Sequence, residues 1–340
     1  MSWDEEISRL SLPTVDRTLA LFPGGVHTRD RAVVDLELVA GDDGPPHLQA
    51  TLWNQHDHPR TVLLDDLPFH KSSEVVDVHV GGSYHRDRPE LFLVPTPNHH
   101  FGPCDVETEQ SPRGVWRLTE RPDYESVRSL TLAPDESVLF EYALLLGPDG
   151  DEIPVGQYPL RGWPAHRFVP GLRTWATLSV WQTSRPGPDE PSRFADESFP
   201  SVPPHFDETT WFHDATATTE VYLRPSTERA SLPAAVEFTL VNRGERRLRG
   251  PDLNWGLYEL VDGDWAARHT HGAVDIETFV EVGEEKTWRL RARRDEVLHC
   301  DPDDYAEPSV GNLSPGRYAF WVEYGTGDGH DGFGAVVEFE

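Results

Sequence analysis

Lysine is almost missing from this chain. Of 30 basic residues only Lys71 and Lys286 are lysines, against 59 acids, and the formal charge is −29. Nothing resembles a stripe of Lys and Arg interleaved with aromatics, so no nucleic-acid surface is expected. The densest basic run, "RLRARRDE" from Arg289, is short, flanked by acids, and would alternate faces in a strand. An acidic, arginine-based, lysine-poor surface is what a protein in molar salt tends to show, because screening there makes the self-repulsion tolerable. The expected source is a salt-accumulating halophile, and the acidity then stops being a sign of a basic partner.

Cysteine is nearly as scarce. Cys104 and Cys300 stand 196 positions apart, which is no disulfide framework. No window approaches ~18 consecutive apolar residues, so membrane insertion is not expected. The opening "MSWDEEISRLSLPTVDR" has no basic start, apolar middle or small-residue cleavage site. These absences lead to the expectation of a reduced, cytoplasmic protein. Helical periodicity is rare too: only Ile7 and Leu10, three apart, suggest one short helix near the start.

What is present is an internal repeat. Residues 33–54, "VVDLELVAGDDGPPHLQATLWN", align without a gap on residues 221–242, "VYLRPSTERASLPAAVEFTLVN", at an offset of 188. Both have a strand, a polar turn and a strand with alternate apolar residues (Leu48, Ala50, Leu52 against Val236, Phe238, Leu240), followed by Asn54 or Asn242. That alternation buries one face and wets the other. Downstream, "SLTLAPDESVLFEYALLLG" matches "TFVEVGEEKTWRLRAR", each with a tight turn between strands, and "PVGQYPLRG" matches "SPGRYAFWVEYG". The offsets there are 148 and 160, so the halves differ by loop insertions.

With 340 residues, 27 Gly, 30 Pro and 37% hydrophobic residues, the chain is suited to two cores rather than one. The expected fold is all-β: two tandem immunoglobulin-like antiparallel β-sandwiches joined by a Pro-rich linker. Residues 1–29 read as an N-terminal extension, 30–183 as a sandwich with a loop insertion at 83–128, 184–215 as the linker and 216–340 as the second sandwich. A strand ending in Asn, then "LAPDES" or "VEVGEE", then Gly-x-Tyr, resembles the immunoglobulin-like domains of the intracellular proteinase inhibitor type. The resemblance covers hairpin motifs in each half. It implies the sandwich fold and, by extension, a proteinase-inhibitor activity for which no residue signature transfers.

Several clusters invite a chemical reading. "NHHFGPCDVE" places His99, His100 and Cys104 together in a Pro-flanked loop, with Asp105, or His299 and Cys300, as a fourth ligand if zinc were held there. The alternative is a loop with surface histidines, and the two Cys motifs occupy inequivalent places in the repeat. His269 and His271 share a strand face, as do His56 and His58 within a turn; exposed polar residues explain both pairs more simply. Gly327, Gly329 and Gly332 formally match a dinucleotide fingerprint, but no helix follows to hold a pyrophosphate. Ser83 near His85 lacks the strand, elbow and helix of a nucleophile site. Trp163, Trp175 and Trp181 read either as core and junction packing or as a partner-binding patch. The reading that follows is a non-catalytic scaffold or assembly module without a cofactor, binding a protein partner or itself. A proteinase inhibitor and a metal- or carbohydrate-binding module are the alternatives.

Overall fold

The computed structural model describes residues 8–22, 25–27, 33–41, 44–63, 79–80, 83–84, 91–103, 105–120, 129–161, 174–200, 209–251, 255–270, 277–295, 308–326 and 331–340. These residues form strands and turns, with no α-helix among them. The chain divides into two compact units, Met1–Ser184 and Arg185–Glu340.

The first unit begins with β1 (Ser8–Leu12), β2 (Arg17–Phe22), β3 (Gly25–His27), β4 (Val33–Val39) and β5 (His47–Trp53). It continues with β6 (Arg60–Leu63), β7 (His79–Val80), β8 (Ser83–Tyr84), β9 (Leu91–Pro95) and β10 (Thr108–Gln110). Strands β11 (Trp116–Leu118), β12 (Ser129–Leu132), β13 (Ser137–Leu146), β14 (Gly156–Arg161) and β15 (Thr174–Trp181) complete it. One sheet has the order β1-β2-β15-β14 and a second runs β10-β11-β13-β5-β4-β3, with β9 also on β13; β12-β6 and β7-β8 form two-stranded sheets. Leu48, Ala50 and Leu52 of β5 point into the sandwich, with Val34, Leu36 and Leu38 of β4 beside them. Leu19 and Leu21 of β2 and Leu178 and Val180 of β15 meet them from the opposite sheet. Each of these leucines and valines contributes roughly 1.5–3 kcal/mol on burial.

Strands β1 to β3 lie inside the stretch that the sequence sets apart as an extension, and they pair into both larger sheets of this unit. The short helix expected near the start is instead strand β1. Leu10 and Leu12 both pack on the core, two residues apart, and every residue of β1 is in antiparallel register with β2. The relevant period is two, between Leu10 and Leu12, rather than three, between Ile7 and Leu10.

The second unit contains β16 (Thr209–Trp211), β17 (Val221–Pro225), β18 (Arg229–Ala230), β19 (Ala234–Asn242), β20 (Leu248–Pro251) and β21 (Trp255–Val261). Then come β22 (Asp264–Thr270), β23 (Glu277–Val280), β24 (Glu285–Ala292), β25 (Ser309–Val310), β26 (Gly316–Tyr324) and β27 (Asp331–Phe339). Its sheets are β16-β27-β26-β21-β22, with β18 also on β27, β17-β19-β24-β25, and the two-stranded β20-β23. Val236, Phe238 and Leu240 of β19 and Trp288 and Leu290 of β24 pack on Leu257, Phe320, Val322 and Ala335 across the sandwich.

The repeat corresponds to three shared devices. Buried Asn54 donates from Nδ2 to the carbonyls of His58, Leu132 and Ala133, and its Oδ1 accepts from the His56 N–H. Asn242 donates to Arg246 and Val280 and accepts from Gly244 in the same way. Each downstream turn joins strands of different sheets, β12 pairing with β6 and β13 with β5, and β23 with β20 and β24 with β19, so neither is the hairpin that the sequence suggests. In each a glutamate caps its own turn: Glu136 accepts from the Ala133 N–H at 2.6 Å and Glu284 from the Glu281 N–H at 2.8 Å. The residue before each is left-handed, Asp135 at φ 58° and Gly283 at φ 82°. Finally, the Gly-x-Tyr motifs place Tyr158 and Tyr318 with their hydroxyls donating to the carbonyls of Pro154 and Ser314, four residues back. That is the tyrosine corner of immunoglobulin-like sandwiches.

Candidate functional site

In the first unit β13 is buried on both faces, which is why "YALLLG" reads as a continuous apolar run. Its even-numbered residues from Val138 to Leu146 face the sandwich core, and Ala143 and Leu145 face a second cluster. That cluster is built by the 83–128 insertion, through Phe92 and Val94 of β9 and Leu118 of β11. The insertion thus adds strands β9, β10 and β11 to this sheet and gives its outer face an apolar cluster of its own.

Between β9 and β10 the chain makes a tight turn over β13. Its backbone is held by His99 N–H to Thr96 O at 3.0 Å, Gly102 N–H to His99 O at 2.7 Å and His100 N–H to Leu139 O at 2.8 Å. Beneath it lies Glu141, a buried carboxylate on the outer face of β13. Thr96 Oγ1 donates to it at 2.6 Å, Gln49 Nε2 at 2.7 Å and Asn98 Nδ2 at 2.9 Å, with His47 Nδ1 3.7 Å away. Burial pushes the Glu141 carboxyl up, but these donors and His47 together hold it below its usual value. A buried ionised carboxylate with three donors fixes the turn from below. At the tip Phe101 is 44% exposed, one of few large apolar side chains that face solvent.

His99 does not act as a surface histidine. It is buried against Phe140 and Tyr142, with ring centroids 5.3 and 4.8 Å apart. Its Nδ1 accepts the Phe101 N–H at 3.2 Å, which leaves the proton of a neutral ring on Nε2, a buried atom with no hydrogen-bond partner among the described residues. Burial, aided by neighbouring His100, lowers its pKa to about 4. His100 is exposed, so the adjacent rings sit in opposite environments and do not converge on one point. Cys104 lies outside the described residues, as do His299 and Cys300, and the described residues contain no group of three His, Cys, Asp or Glu placed to hold a metal ion.

The remaining candidates disperse. His56 packs on His58 at 5.3 Å, and His58 contacts Asp57 in an exposed turn. His269 stacks flat on Trp255 at 4.5 Å, and His271 lies outside the described residues. Ser83 lies in β8, and His85 falls outside. Trp181 is 2% exposed, with the Arg9 guanidinium 5.8 Å from its ring, so it offers no exposed aromatic surface. Trp163 lies outside the described residues, as does the side chain of Trp175, whose backbone belongs to β15. No helix among the described residues is long and apolar enough to cross a membrane.

A second site was not legible as one. The outer face of the β16-β27-β26-β21-β22 sheet carries Trp211, Tyr258, Trp265 and Trp321. Trp211 and Trp265 stack at 6.0 Å. Gly332 and Gly334 of β27 lie under the indoles: a Cβ at Gly334 would come within 2.7 Å of Trp211, and one at Gly332 within 2.5 Å of Trp321. Close approach of rings to backbone accounts for both glycines, of which Gly332 is the last of the formal dinucleotide match; Gly327 and Gly329 lie outside the described residues. The Pro-rich connector covers this face with Phe194 and Phe199. The only sequence signal was the spacing of two phenylalanines in a polar segment.

No protein-family model matches the chain, and no curated protein matches it. Among solved structures it is similar to a polysaccharide lyase, at 9% identity over 95% of this chain and 35% of that one, with a TM-score of 0.19. It is similar to a red sea bream transglutaminase at 8% identity, over 90% of this chain and 31% of that one, with a TM-score of 0.19. A third is the Enterococcus faecalis MSCRAMM ACE, which binds its ligands by the collagen hug model, at 8% identity over 90% of this chain and 95% of that one and a TM-score of 0.13. The chain spans 35% and 31% of the length of the first two. At such TM-scores the likeness carries no functional argument.

Proposed function

We propose that the chain is a non-catalytic protein-interaction or assembly module of a salt-accumulating organism. It binds a protein partner, or a second copy, through the turn that the first unit adds to its sandwich. The observation that carries this reading is Phe101: an aromatic ring 44% exposed at the tip of a turn whose backbone is pinned from below. Aromatic anchors held in one conformation lose little entropy on docking and concentrate binding energy. The chemistry that would compete with recognition is occupied, since His99 is packed among aromatic rings and Glu141 is saturated with donors.

The test replaces Phe101 with a photoreactive aromatic residue in native cells. A discrete adduct with a protein, or with a second copy, is expected. Glu141→Gln, which turns an amide toward donors and so loosens the turn without altering residue 101, should reduce its yield several-fold. An adduct no more abundant than one formed from exposed Val261 of the second unit would sink the reading.

A further inference from the structure

The Pro-rich connector is tied to the second unit at two places. Near its start Gly187 donates its N–H to Ala217 O at 2.9 Å, and Arg243 Nη1 donates to Pro186 O at 2.7 Å. Further on, residues 192–200 cross the aromatic face of the sheet. They do not join it as a strand: among the described residues their backbone–backbone hydrogen bonds are local, from Ala195 to Ser192 and from Glu197 to Phe194. Side chains make the contact.

Those side chains form a pattern of fixed chemistry. Phe194 is 1% exposed within the tryptophan cluster. Phe199 stacks on Trp265 at 5.9 Å and meets His213 edge-on at 4.8 Å. Between the two rings Glu197 takes both terminal nitrogens of the Arg317 guanidinium, whose carbon also lies 5.4 and 5.9 Å from the centroids of Phe194 and Phe199. Trp265 Nε1 donates to Pro200 O at 2.7 Å. At the near end Glu228 accepts the Ser192 hydroxyl and the Arg193 N–H. Two aromatic anchors, an acid between them on an arginine, and a proline carbonyl on an indole are how a receptor reads a short peptide.

We propose that this sheet face is a peptide-recognition surface for Ser-x-Phe-x-x-Glu-x-Phe-Pro, occupied in cis by residues 192–200, and that the occupant it takes in trans is the same segment of a second copy. The second copy is favoured because every contact made in cis has an identical counterpart in trans. Exchange sacrifices no ladder hydrogen bond among the described residues, and concentration then sets the balance. This goes beyond the proposed function, which places recognition at the Phe101 turn of the first unit.

The probe is a synthetic peptide of residues 190–200, added in molar salt to the full chain carrying Phe194→Ala and Phe199→Ala. Both substitutions lie on the connector and leave every strand intact. Saturable quenching or enhancement of tryptophan fluorescence is expected, and a peptide with Glu197→Arg should bind about tenfold more weakly, the loss of one charge-assisted pair. If the double variant does not fold, Glu197→Arg in the chain keeps both rings and serves as the receptor. In a second arm, light scattering of the wild-type chain in molar salt should show a dimer that grows with concentration and is absent from that receptor variant. No saturable peptide binding overturns the recognition surface; peptide binding without a complex between chains overturns the exchange. Neither outcome touches Phe101, so an adduct formed there survives both.

Discussion

Asn242 Nδ2 donates to the carbonyl of Val280 at 2.9 Å, tying the end of β19 to the end of β23, 38 residues on. Asn54 makes the same tie to Leu132 in the first unit. Both side chains are buried, and each amide satisfies carbonyls that water does not reach. Asn242→Asp keeps the shape but turns an oxygen toward the Arg246 and Val280 carbonyls. A loss of about 3 kcal/mol at neutral pH is expected, from orphaned acceptors plus a buried charge without a partner. Denaturant titration of the wild type and variant measures it. A loss below about 1 kcal/mol would show that water reaches the site.

Asp135 and Gly283 occupy one turn position in the two units, and both are left-handed. A side chain there costs roughly 1–2 kcal/mol, less for Asp, which tolerates the region. Asp135→Gly removes that cost but adds chain entropy to the unfolded state, so a net gain of about 0.5 kcal/mol is expected. Gly283→Ala should destabilise by about 1 kcal/mol or more. Equal and opposite thermal shifts are not expected; a destabilised Asp135→Gly protein would mean the Asp135 side chain holds the turn by a contact of its own.

The paired devices were legible because each combines a fixed residue type with local geometry. An Asn at a strand end, a Glu closing a turn and a Gly-x-Tyr repeat at offsets set only by loop length. The connector was not legible in the same way. Phe194, Glu197 and Phe199 follow no strand or helix period, and their partners lie on strands far along the chain. His99 misled for a related reason. A histidine between prolines reads as wet, and only the fold places it against Phe140 and Tyr142. Residues 8–22 were passed over because a strand of six consecutive buried residues, as in β2, shows no alternation to find.

His99 links stability to acidity. Its folded pKa of about 4 lies below the ordinary value of 6.5, so the unfolded chain binds the proton first as pH falls. The contribution is complete above about pH 6.5, is lost progressively between there and about pH 4, and is constant below; it amounts to about 3 kcal/mol at most. Glu141 adds a loss of the same sign at lower pH, as its depressed carboxyl protonates. His99→Phe should cost about 1 kcal/mol at pH 7.5, because the Phe101 N–H loses its acceptor, yet flatten the slope between pH 6.5 and 4. Identical slopes in the two proteins would remove His99 as the cause.

A charge of −29 makes salt the strongest external variable. Two effects oppose each other. Exposed pairs such as Arg229–Glu340, Arg249–Glu277 and Arg113–Glu152 weaken as salt rises, but each is worth only about 0–1 kcal/mol. Repulsion among the excess acids acts over the whole surface, and the screening length falls from about 10 Å at 0.1 M to about 3 Å at 1 M. Repulsion should win, so the unfolding midpoint rises steeply between 0.1 and 2 M KCl. Asp35 and Glu37 are exposed, two residues apart on one face of β4, with no basic residue opposite them on β5. Asp35→Asn with Glu37→Gln should raise the midpoint at 0.1 M and leave it nearly unchanged at 2 M. A wild-type midpoint that is flat or falls with added KCl would mean that ion pairing outweighs repulsion, and the acidic coat would lose its reading as an adaptation to salt.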